Sequence, residues 1–242
     1  MKDFSQLKNY FIESLSSQYE LRELNSFFFL LIESVKQWNK IDYSLQRKLE
    51  VTKEEYFVFQ NAINSLRSKV PIQYIIGRVI FYDLHLKVNN DVLIPRPETE
   101  ELIRLIKDDN IADPPKNILD IGTGSGCIIL ALKTLFLDSY CLGIDISQAA
   151  IEIANKNAQT LELDVCFLSE DVFNYNGTTK FDLIVSNPPY ITESEKKLMD
   201  SNVLDYEPHG ALFVKDANPL LYYKRIAELG KKILNNNGQI YF

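Results

Sequence analysis

Strand and helix patterns alternate from residue 116 to the end of the sequence, and few folds accommodate such an order. Short apolar runs typical of buried strands occur at 118–121, 141–144, 165–168, 183–186 and 239–242. Helical periodicity lies between them, at about 127–137, 147–161 and 219–234. Because parallel strands need crossover connections, the alternation predicts an α/β fold with a mostly parallel sheet and helices on both faces.

The N-terminal part of the sequence has a different pattern, in which apolar residues recur at helical spacing from residue 4 to residue 70. One helix is predicted to begin at Thr52, because Thr52 and Glu55 form the T-x-x-E pattern of a capping box. Pro71 ends that helix. Residues 1–71 are therefore predicted to form a small helical domain.

Between these two parts, the apolar pattern changes from helical spacing to alternation. Residues 79–82 and 84–88 predict two extended strands, and a turn at 89–91 leads to a further apolar run at 92–94. We expect residues 72–94 to form a linker hairpin and residues 95–242 to form the α/β domain.

Length and composition argue against several classes of protein. The chain of 242 residues is long enough for one large and one small domain, and the apolar run 27–32 is far too short to span a bilayer. A formal net charge of −7, with Lys and Arg scattered along the sequence, argues against nucleic acid as the main partner. Membrane association is not expected either.

The cysteines and the N-terminus bear on the compartment. Cys127, Cys141 and Cys166 have spacings unlike those of a disulfide or metal framework, and we expect all three to be buried or inert thiols. Residues 1–4 are partly polar and acidic where a signal peptide needs an apolar core. Together these features predict a cytoplasmic protein, which we expect to be a monomer.

A glycine-rich segment, Asp120-Ile121-Gly122-Thr123-Gly124-Ser125-Gly126, follows the first strand of the α/β part. Its glycines allow a tight turn from strand to helix and bring bare backbone close to a ligand. A dinucleotide loop has the longer G-x-G-x-x-G spacing. The early third glycine and the acidic residue two positions before the first glycine favour an S-adenosylmethionine loop, with a tight turn that binds nothing as the alternative.

Two acidic positions follow the next two strands. Asp145 can accept both ribose hydroxyls of a nucleoside, although it could equally support the helix turn that Ser147 would cap. Asp171 and Val172 lie where an adenine ring is expected, with the Asp171 carboxylate toward the amino group and the Val172 amide toward a ring nitrogen. A surface acidic turn is the alternative there.

The segment 187–190, Asn-Pro-Pro-Tyr, directly follows a buried strand pattern. Its two prolines fix the backbone and remove two N–H donors, so that carbonyl oxygens are free to point into a cleft. With the Asn187 amide before them and the Tyr190 ring after them, they can grip a flat NH2 group. This combination favours methylation of an amide or of an exocyclic amine, and it requires no metal.

The order of these segments resembles the peptide chain release factor glutamine N5-methyltransferases, the HemK/PrmC family. The resemblance runs from about residue 71 to residue 242 and is densest at 71–77 (PIQYIIG), 93–100 (LIPRPETE) and 206–208 (YEP). Asn-Pro-Pro-Tyr alone is shared with adenine N6-methyltransferases, whereas Arg-Pro-Glu-Thr-Glu points to release factors.

The resemblance implies a class I S-adenosylmethionine-dependent methyltransferase fold, Rossmann-like, whose substrate is the glutamine of a Gly-Gly-Gln tripeptide in release factors. It implies that the N-terminal helical domain docks the substrate. The residues it assigns to the cofactor are Gly122, Thr123, Gly124, Ser125, Gly126, Asp145, Val172 and Asn187, and the position of Asp171 after its strand adds that residue as a further candidate. The residues it assigns to the glutamine are Asn187, Pro188, Pro189 and Tyr190, of which Asn187, Pro188 and Tyr190 are the predicted catalytic residues.

Arg96 and Glu98 are further candidates for substrate binding. Their alternative role is an ion pair that pins the hairpin to the main domain, and Glu207 is expected to buttress the Asn-Pro-Pro-Tyr loop. The sequence stops within the fifth strand pattern, where the family continues with a helix and a two-strand hairpin, so we expect the C-terminal strands of the sheet to be missing.

Two other functions stay open at this point. One is adenine N6-methylation of nucleic acid, which would need a basic face or a target-recognition domain. The other is a truncated, non-catalytic module that binds a release factor without modifying it.

Overall fold

The computed structural model describes residues 2–199 and 201–242. Met1 and Asp200, which fall within the predicted domain ranges, lie outside the described residues. The chain divides into two compact units, Met1–Gly77 and Arg78–Phe242. The first unit therefore extends past the predicted boundary at Pro71.

The first unit is helical, and it buries a core of aromatic and aliphatic side chains. Phe28 lies at its centre, with its ring 5.8 Å from that of Phe11 and 5.5 Å from that of Phe59. The helices of this unit are α1 (Phe4–Leu15), α2 (Leu21–Lys36), α3 (Lys40–Gln46), α4 (Lys53–Arg67) and α5 (Ile72–Ile76). The predicted capping box at Thr52 and Glu55 is confirmed at the start of α4.

The second unit is built on the alternation of strands and helices. Its elements are β1 (Arg78–Phe81), β2 (Leu84–Lys87), α6 (Pro97–Asn110), β3 (Asn117–Ile121), α7 (Cys127–Leu135), β4 (Tyr140–Asp145), α8 (Gln148–Thr160), β5 (Cys166–Ser169), β6 (Phe181–Ser186), β7 (Ile191–Thr192), a 3₁₀ helix (Glu193–Leu198), α9 (Ser201–Tyr206), α10 (His209–Leu212), β8 (Phe213–Val214), α11 (Leu221–Ile233) and β9 (Leu234–Tyr241).

Five strands form a parallel sheet in the order β5-β4-β3-β6-β9. Side chains of α6 and α7, such as Ile103 and Ile129, pack in the core on one face of the sheet. Side chains of α11, such as Ile226 and Leu229, pack in the core on the other face. The predicted α/β fold is confirmed, and the strand order reverses between β3 and β6, where open α/β sheets bind their ligands.

The hairpin of β1 and β2 belongs to the second unit and is anchored there by hydrogen bonds. The Tyr82 amide donates to Glu100 Oε1 in α6 (3.0 Å). Asn157 in α8 accepts from the Lys87 amide and donates to the Lys87 carbonyl (2.7 and 3.1 Å). The two predicted strands are present. The range predicted for the hairpin, 72–94, also includes helix α5, which belongs to the first unit.

The cysteines differ from one another in burial. Cys141 is buried in β4, and burial raises the pKa of its thiol to about 12. Burial likewise raises the pKa of Cys127 to about 12. Cys166 lies on the edge strand β5 and is exposed, so of the two predicted states, buried or inert, burial does not hold for this residue. Within residues 2–199 and 201–242, no helix combines the length and apolarity that a membrane span requires.

Candidate active site

A cleft of about 340 Å³ lies where β3, β4, β5 and β6 end, at the reversal of the strand order. Its volume falls within the range of small-molecule sites, roughly 300–1,000 Å³. The predicted site residues that line it are Arg96, Gly122, Thr123, Gly124, Ser125, Asp145, Asp171, Val172, Asn187, Pro188 and Pro189. Three predicted residues, Glu98, Gly126 and Tyr190, are not among the described residues that line it.

The glycine loop leaves open space beside its backbone. Gly122 and Gly124 have φ angles of 74° and 54°, in the left-handed region that favours glycine. A methyl group added to either would meet no atom within 4 Å. Gly126 differs, because an added methyl group would lie 3.1–3.3 Å from Leu130, Ala154 and Phe167. The structure therefore gives Gly126 a packing role at the start of α7, and gives the other two glycines an open face.

Two buried polar atoms at this loop have no hydrogen-bond partner among the described residues, Asp120 Oδ1 and Ser125 Oγ. The other carboxylate oxygen of Asp120 accepts from the Thr123 hydroxyl at 2.6 Å. Buried polar groups in native proteins are nearly always paired, so these atoms suit a polar ligand. S-adenosylmethionine, with its ammonium and carboxylate groups, fits this donor and acceptor set.

Asp120 has an unusual acidity. Burial, with a smaller contribution from the Asp145 carboxylate, raises the pKa of Asp120 to about 7, although the Thr123 hydrogen bond acts in the opposite direction. A carboxyl group with such a pKa can change its protonation state near neutral pH when a cation arrives beside it. Asp120 is fully buried and is not among the described residues that line the cleft, so this perturbed carboxyl group lies beneath the glycine loop.

The carboxylate of Asp145 ties the glycine loop to the end of β4. Its Oδ2 accepts from the Gly124 amide (2.8 Å) and its Oδ1 accepts from the Ser147 amide (2.9 Å). Ser147 in turn caps α8 by accepting from the Ala150 amide. Asp145 therefore supports the turn that Ser147 caps, which was the alternative to ribose binding. Since a carboxylate has about four lone-pair sites, more than these backbone donors use, ribose binding by Asp145 stays a compatible prediction.

The loop after β5 forms an Asx turn at the rim of the cleft. The Asp171 carboxylate accepts from the Phe173 amide at 2.9 Å, and the Asp171 carbonyl accepts from the amides of Asn174 and Tyr175. These two bonds polarise the peptide between Asp171 and Val172, which makes the Val172 N–H a stronger donor. Contact between this loop and an adenine ring stays a prediction.

The Asn-Pro-Pro-Tyr segment begins where β6 ends. Ser186 fixes that end, because its hydroxyl donates to the Ile121 carbonyl at 2.6 Å and so joins β6 to β3. Pro188 is buried, whereas Asn187 and Pro189 are half-buried at the cleft. Tyr190 is 59% exposed. The structure therefore presents the Asn-Pro-Pro part to the cleft and leaves the tyrosine ring accessible to a large partner.

Arg96 forms an ion pair, but its partner is Glu207 and not Glu98. The Arg96 Nη2 to Glu207 Oε1 distance is 2.5 Å, and the Glu207 side chain is only 1% exposed. The second oxygen of Glu207 accepts from the Ile94 amide. This pair joins the segment before α6 to the segment before α10, and both segments line the cleft through Pro95 and Pro208. Glu98 is exposed.

Sequence reasoning missed several residues that line the cleft, among them Thr99, Tyr222 and Ile226. Thr99 lies in the Arg-Pro-Glu-Thr-Glu segment, one turn into α6, and its position beside Arg96 was the available signal. Tyr222 and Ile226 are spaced i, i+4 on α11. Pairs of residues that only pack in the core have the same spacing, so the sequence pattern does not distinguish a cleft residue from a core residue.

Two family models match the chain. The methyltransferase small domain matches residues 99–241, and the PrmC N-terminal domain matches residues 6–77. The second match ends at Gly77, as does the first unit of the structure.

Among curated proteins, the release factor glutamine methyltransferase of Flavobacterium psychrophilum is 41% identical over 98% of this chain and 85% of its own length. That of Bacteroides thetaiotaomicron is 41% identical over 96% of this chain and 84% of its own. Among solved structures, ribosomal protein L11 methylase from Lactobacillus delbrueckii subsp. bulgaricus aligns over 60% of each chain at 25% identity, with a TM-score of 0.41. That score is too low to add to the fold assignment, which rests on the sheet itself.

The methyltransferase model covers more than half of the chain, and relatives at this level of identity span nearly all of it. The enzyme class and the cofactor predicted from the sequence, an S-adenosylmethionine-dependent methyltransferase, are confirmed by these matches. The chain belongs to the release factor glutamine methyltransferase family.

Proposed function

We propose that this protein methylates the side-chain amide nitrogen, N5, of the glutamine in the Gly-Gly-Gln motif of peptide chain release factors. The observation that carries the proposal is the position of Asn187, Pro188 and Pro189 at the cleft. Their segment and the open glycine loop start side by side, where the paired strands β6 and β3 end. This arrangement supports the proposal, because the residues that we assign to the amide lie beside the loop that we assign to the cofactor. S-adenosylmethionine supplies an activated methyl group when it is bound.

Positioning is the main task of the acceptor residues. A glutamine amide nitrogen is a poor nucleophile, because its lone pair is delocalised into the carbonyl group. The Asn187 side-chain oxygen and the Pro188 carbonyl would each accept one N–H of that amide and fix its plane. Such fixed hydrogen bonds favour transfer by orientation and strengthen as positive charge develops on nitrogen.

Tyr190 would act together with the substrate and not as part of a preformed pocket. Its ring is largely exposed in the structure. An incoming Gly-Gly-Gln segment offers a flat amide on which an aromatic ring can stack. We propose that Tyr190 holds the plane of the amide once the release factor is docked, and that Arg96 and Glu98 contribute to the binding of the acceptor segment.

The two parts of the chain have different roles in this reaction. We propose that the helical unit, predicted as residues 1–71, docks the release factor and that residues 95–242 carry out the transfer. We further propose that the protein acts as a monomer in the cytoplasm, with neither nucleic acid nor membrane as its main partner. The net charge of −7 supports the exclusion of nucleic acid.

The test is a transfer assay with radiolabelled S-adenosylmethionine. The substrates are a bacterial release factor, the same factor with its Gly-Gly-Gln glutamine replaced by alanine, and duplex DNA. We expect label on the intact factor alone. Label on DNA would contradict the proposed substrate, and label on the alanine-substituted factor would contradict the proposed residue. Cofactor binding without transfer to any substrate would favour a non-catalytic module.

A further inference from the structure

One side chain of α11 holds the loop after β5. Arg225 Nε donates to the Val172 carbonyl at 2.9 Å, and Arg225 Nη2 donates to the Phe173 carbonyl at 3.1 Å. A planar guanidinium that spans two consecutive carbonyls fixes their relative orientation, which a single donor cannot do. Arg225 is not among the described residues that line the cleft, so it acts on the loop from behind.

The neighbours of Arg225 on α11 contact the same loop. Tyr222 meets Phe173 edge to face, with ring centroids 5.7 Å apart. Ile226 is fully buried in the core that also contains Val172. Tyr222, Arg225 and Ile226 lie at positions i, i+3 and i+4, and therefore on one face of the helix. One face of α11 thus contacts the loop by an aromatic contact, by two hydrogen bonds and by apolar packing.

The loop needs such support, because its own hydrogen bonds are local. The Asp171 carboxylate and carbonyl close the turn onto residues 173–175. None of those bonds connects the turn to another element. Arg225 supplies that connection, and within the described part of the chain no carboxylate forms an ion pair with its guanidinium. Its hydrogen bonds go to the rim of the cleft.

We infer that Arg225 is a positioning residue for recognition of the adenine base: it holds the carbonyls of Val172 and Phe173 and so keeps the rim of the cleft in its binding shape before the cofactor arrives. A loop held in advance loses less conformational entropy when it binds, which improves affinity. This inference rests on the proposed contact between the loop 171–173 and the adenine ring.

The test compares Arg225→Met with Arg225→Lys and with Lys224→Met, an exposed neighbour on the same helix. Calorimetry measures the binding of S-adenosylhomocysteine and of its analogue with the deaminated base, hypoxanthine. We expect Arg225→Met to weaken S-adenosylhomocysteine about tenfold or more, since it removes two charge-assisted hydrogen bonds that hold the loop. We expect the preference for adenine over hypoxanthine to fall by a similar factor.

A loss of packing alone would lower the affinity for both ligands equally, so an unchanged preference in Arg225→Met would overturn the inference. Arg225→Lys is expected to restore part of the preference, and Lys224→Met to match the unsubstituted protein. Hydrogen exchange of the ligand-free protein provides a second readout. Residues 171–175 should exchange fastest in Arg225→Met, at an intermediate rate in Arg225→Lys and at the unsubstituted rate in Lys224→Met, and equal exchange in all variants would contradict the proposed role.

The binding measurements on the unsubstituted protein keep two kinds of failure apart. If the unsubstituted protein does not bind S-adenosylhomocysteine, the assignment of the cleft to this cofactor fails. If it binds both ligands with the same affinity, the proposed adenine contact fails, and with it the inference for Arg225.

Discussion

The two sides of the cleft are held together by different kinds of contact. On the cofactor side, the Asp145 carboxylate at the end of β4 accepts from the Gly124 amide in the loop after β3 at 2.8 Å, and from the nearby Ser147 amide at 2.9 Å. On the acceptor side, one ion pair between Arg96 and Glu207 joins segments that lie 111 residues apart in the sequence. Tyr190 on that side is largely exposed.

This difference matches what each side would bind. A small cofactor is recognised by a rigid loop, whose shape is fixed by short-range bonds to neighbouring strand ends. A protein substrate contributes its own backbone and side chains, and these can complete the acceptor side of the cleft, where Tyr190 is exposed. We therefore expect substitutions on the acceptor side to affect methyl transfer and stability more than cofactor binding, and the reverse for the glycine loop.

The largest effect is expected for Asn187→Ala. Loss of one hydrogen bond that acts in the transition state costs on the order of 10²–10³ in rate. Single-turnover transfer to a release factor measures this change. Asn155→Ala in α8 is the matched control, since the Asn155 side-chain amide donates to the Ile151 carbonyl of the same helix. A transfer rate close to that of the control would remove Asn187 from the reaction.

Arg96→Met should have the next largest effect, on stability. It leaves the buried Glu207 carboxylate without its cationic partner, and breaking a buried pair costs roughly 3–5 kcal/mol. Because the Arg96 side chain is 37% exposed, we expect the lower end of that range, about 3 kcal/mol. Urea unfolding measures it.

Arg104→Met is the control for that substitution, since it removes a cation from an exposed i, i+4 pair on the same helix. Exposed pairs of this kind contribute about 0.3–0.5 kcal/mol. Equal losses in the two variants would mean that the Arg96–Glu207 pair does no more than a surface pair, and the comparison between the two sides of the cleft would lose its basis.

A pH dependence should follow from Asp120. Burial raises the pKa of this carboxyl group from 3.8 to about 7, so the folded state holds a proton that the unfolded state releases. The contribution of Asp120 to stability is therefore complete below about pH 4 and is lost as the pH rises to about 7. Asp120→Asn should abolish this contribution, while the Thr123 hydroxyl keeps an acceptor.

The measurement is urea unfolding of the ligand-free protein and of Asp120→Asn across that pH range. We expect the stability of the unsubstituted protein to fall relative to the variant as the pH rises, because only Asp120 differs between them. Parallel curves would show that Asp120 titrates normally and that its burial has no electrostatic consequence.

Much of the fold was predictable because strand and helix periods are local. The strands at 118–121 and 141–144 and the helix start at Thr52 were predicted within a few residues. The beginning of β9 was not, since residues 235–238 are polar and lie in an irregular stretch between Leu234 and Gln239, the positions that pair with β6. The exposure of Cys166 depends on the order of strands in the sheet, which the periodicity of one segment does not contain.

The candidate site divides in the same way. Residues in the loops after strands, such as Gly124 and Asn187, were found because their residue types are unusual at those positions. Glu207 was expected to support the Asn-Pro-Pro-Tyr loop, but its partner Arg96 comes from a distant segment, and no local pattern predicts a pair of this kind. Arg225 was missed because an arginine on an amphipathic helix is indistinguishable from a solvated residue until its partners are known.

The smallest effect is expected for Gly124→Ala. An alanine at φ 54° costs about 1 kcal/mol of stability, and its methyl group enters the open space beside the loop. We expect weaker binding of S-adenosylhomocysteine, measured by calorimetry. Gly77→Ala has similar strain at φ 75° and lies outside the residues that line the cleft, so it should lose stability alone. Equal affinity in both variants would show that the loop face is not a ligand surface.

Mass spectrometry of the modified release factor shows whether this cleft methylates a glutamine side chain. We predict the mass of one added methyl group on the peptide that carries Gly-Gly-Gln, with fragment ions that place it on the glutamine side chain, and its loss with Asn187→Ala. A methyl group on any other residue of the factor, or equal modification by the Asn187→Ala variant, would contradict the account.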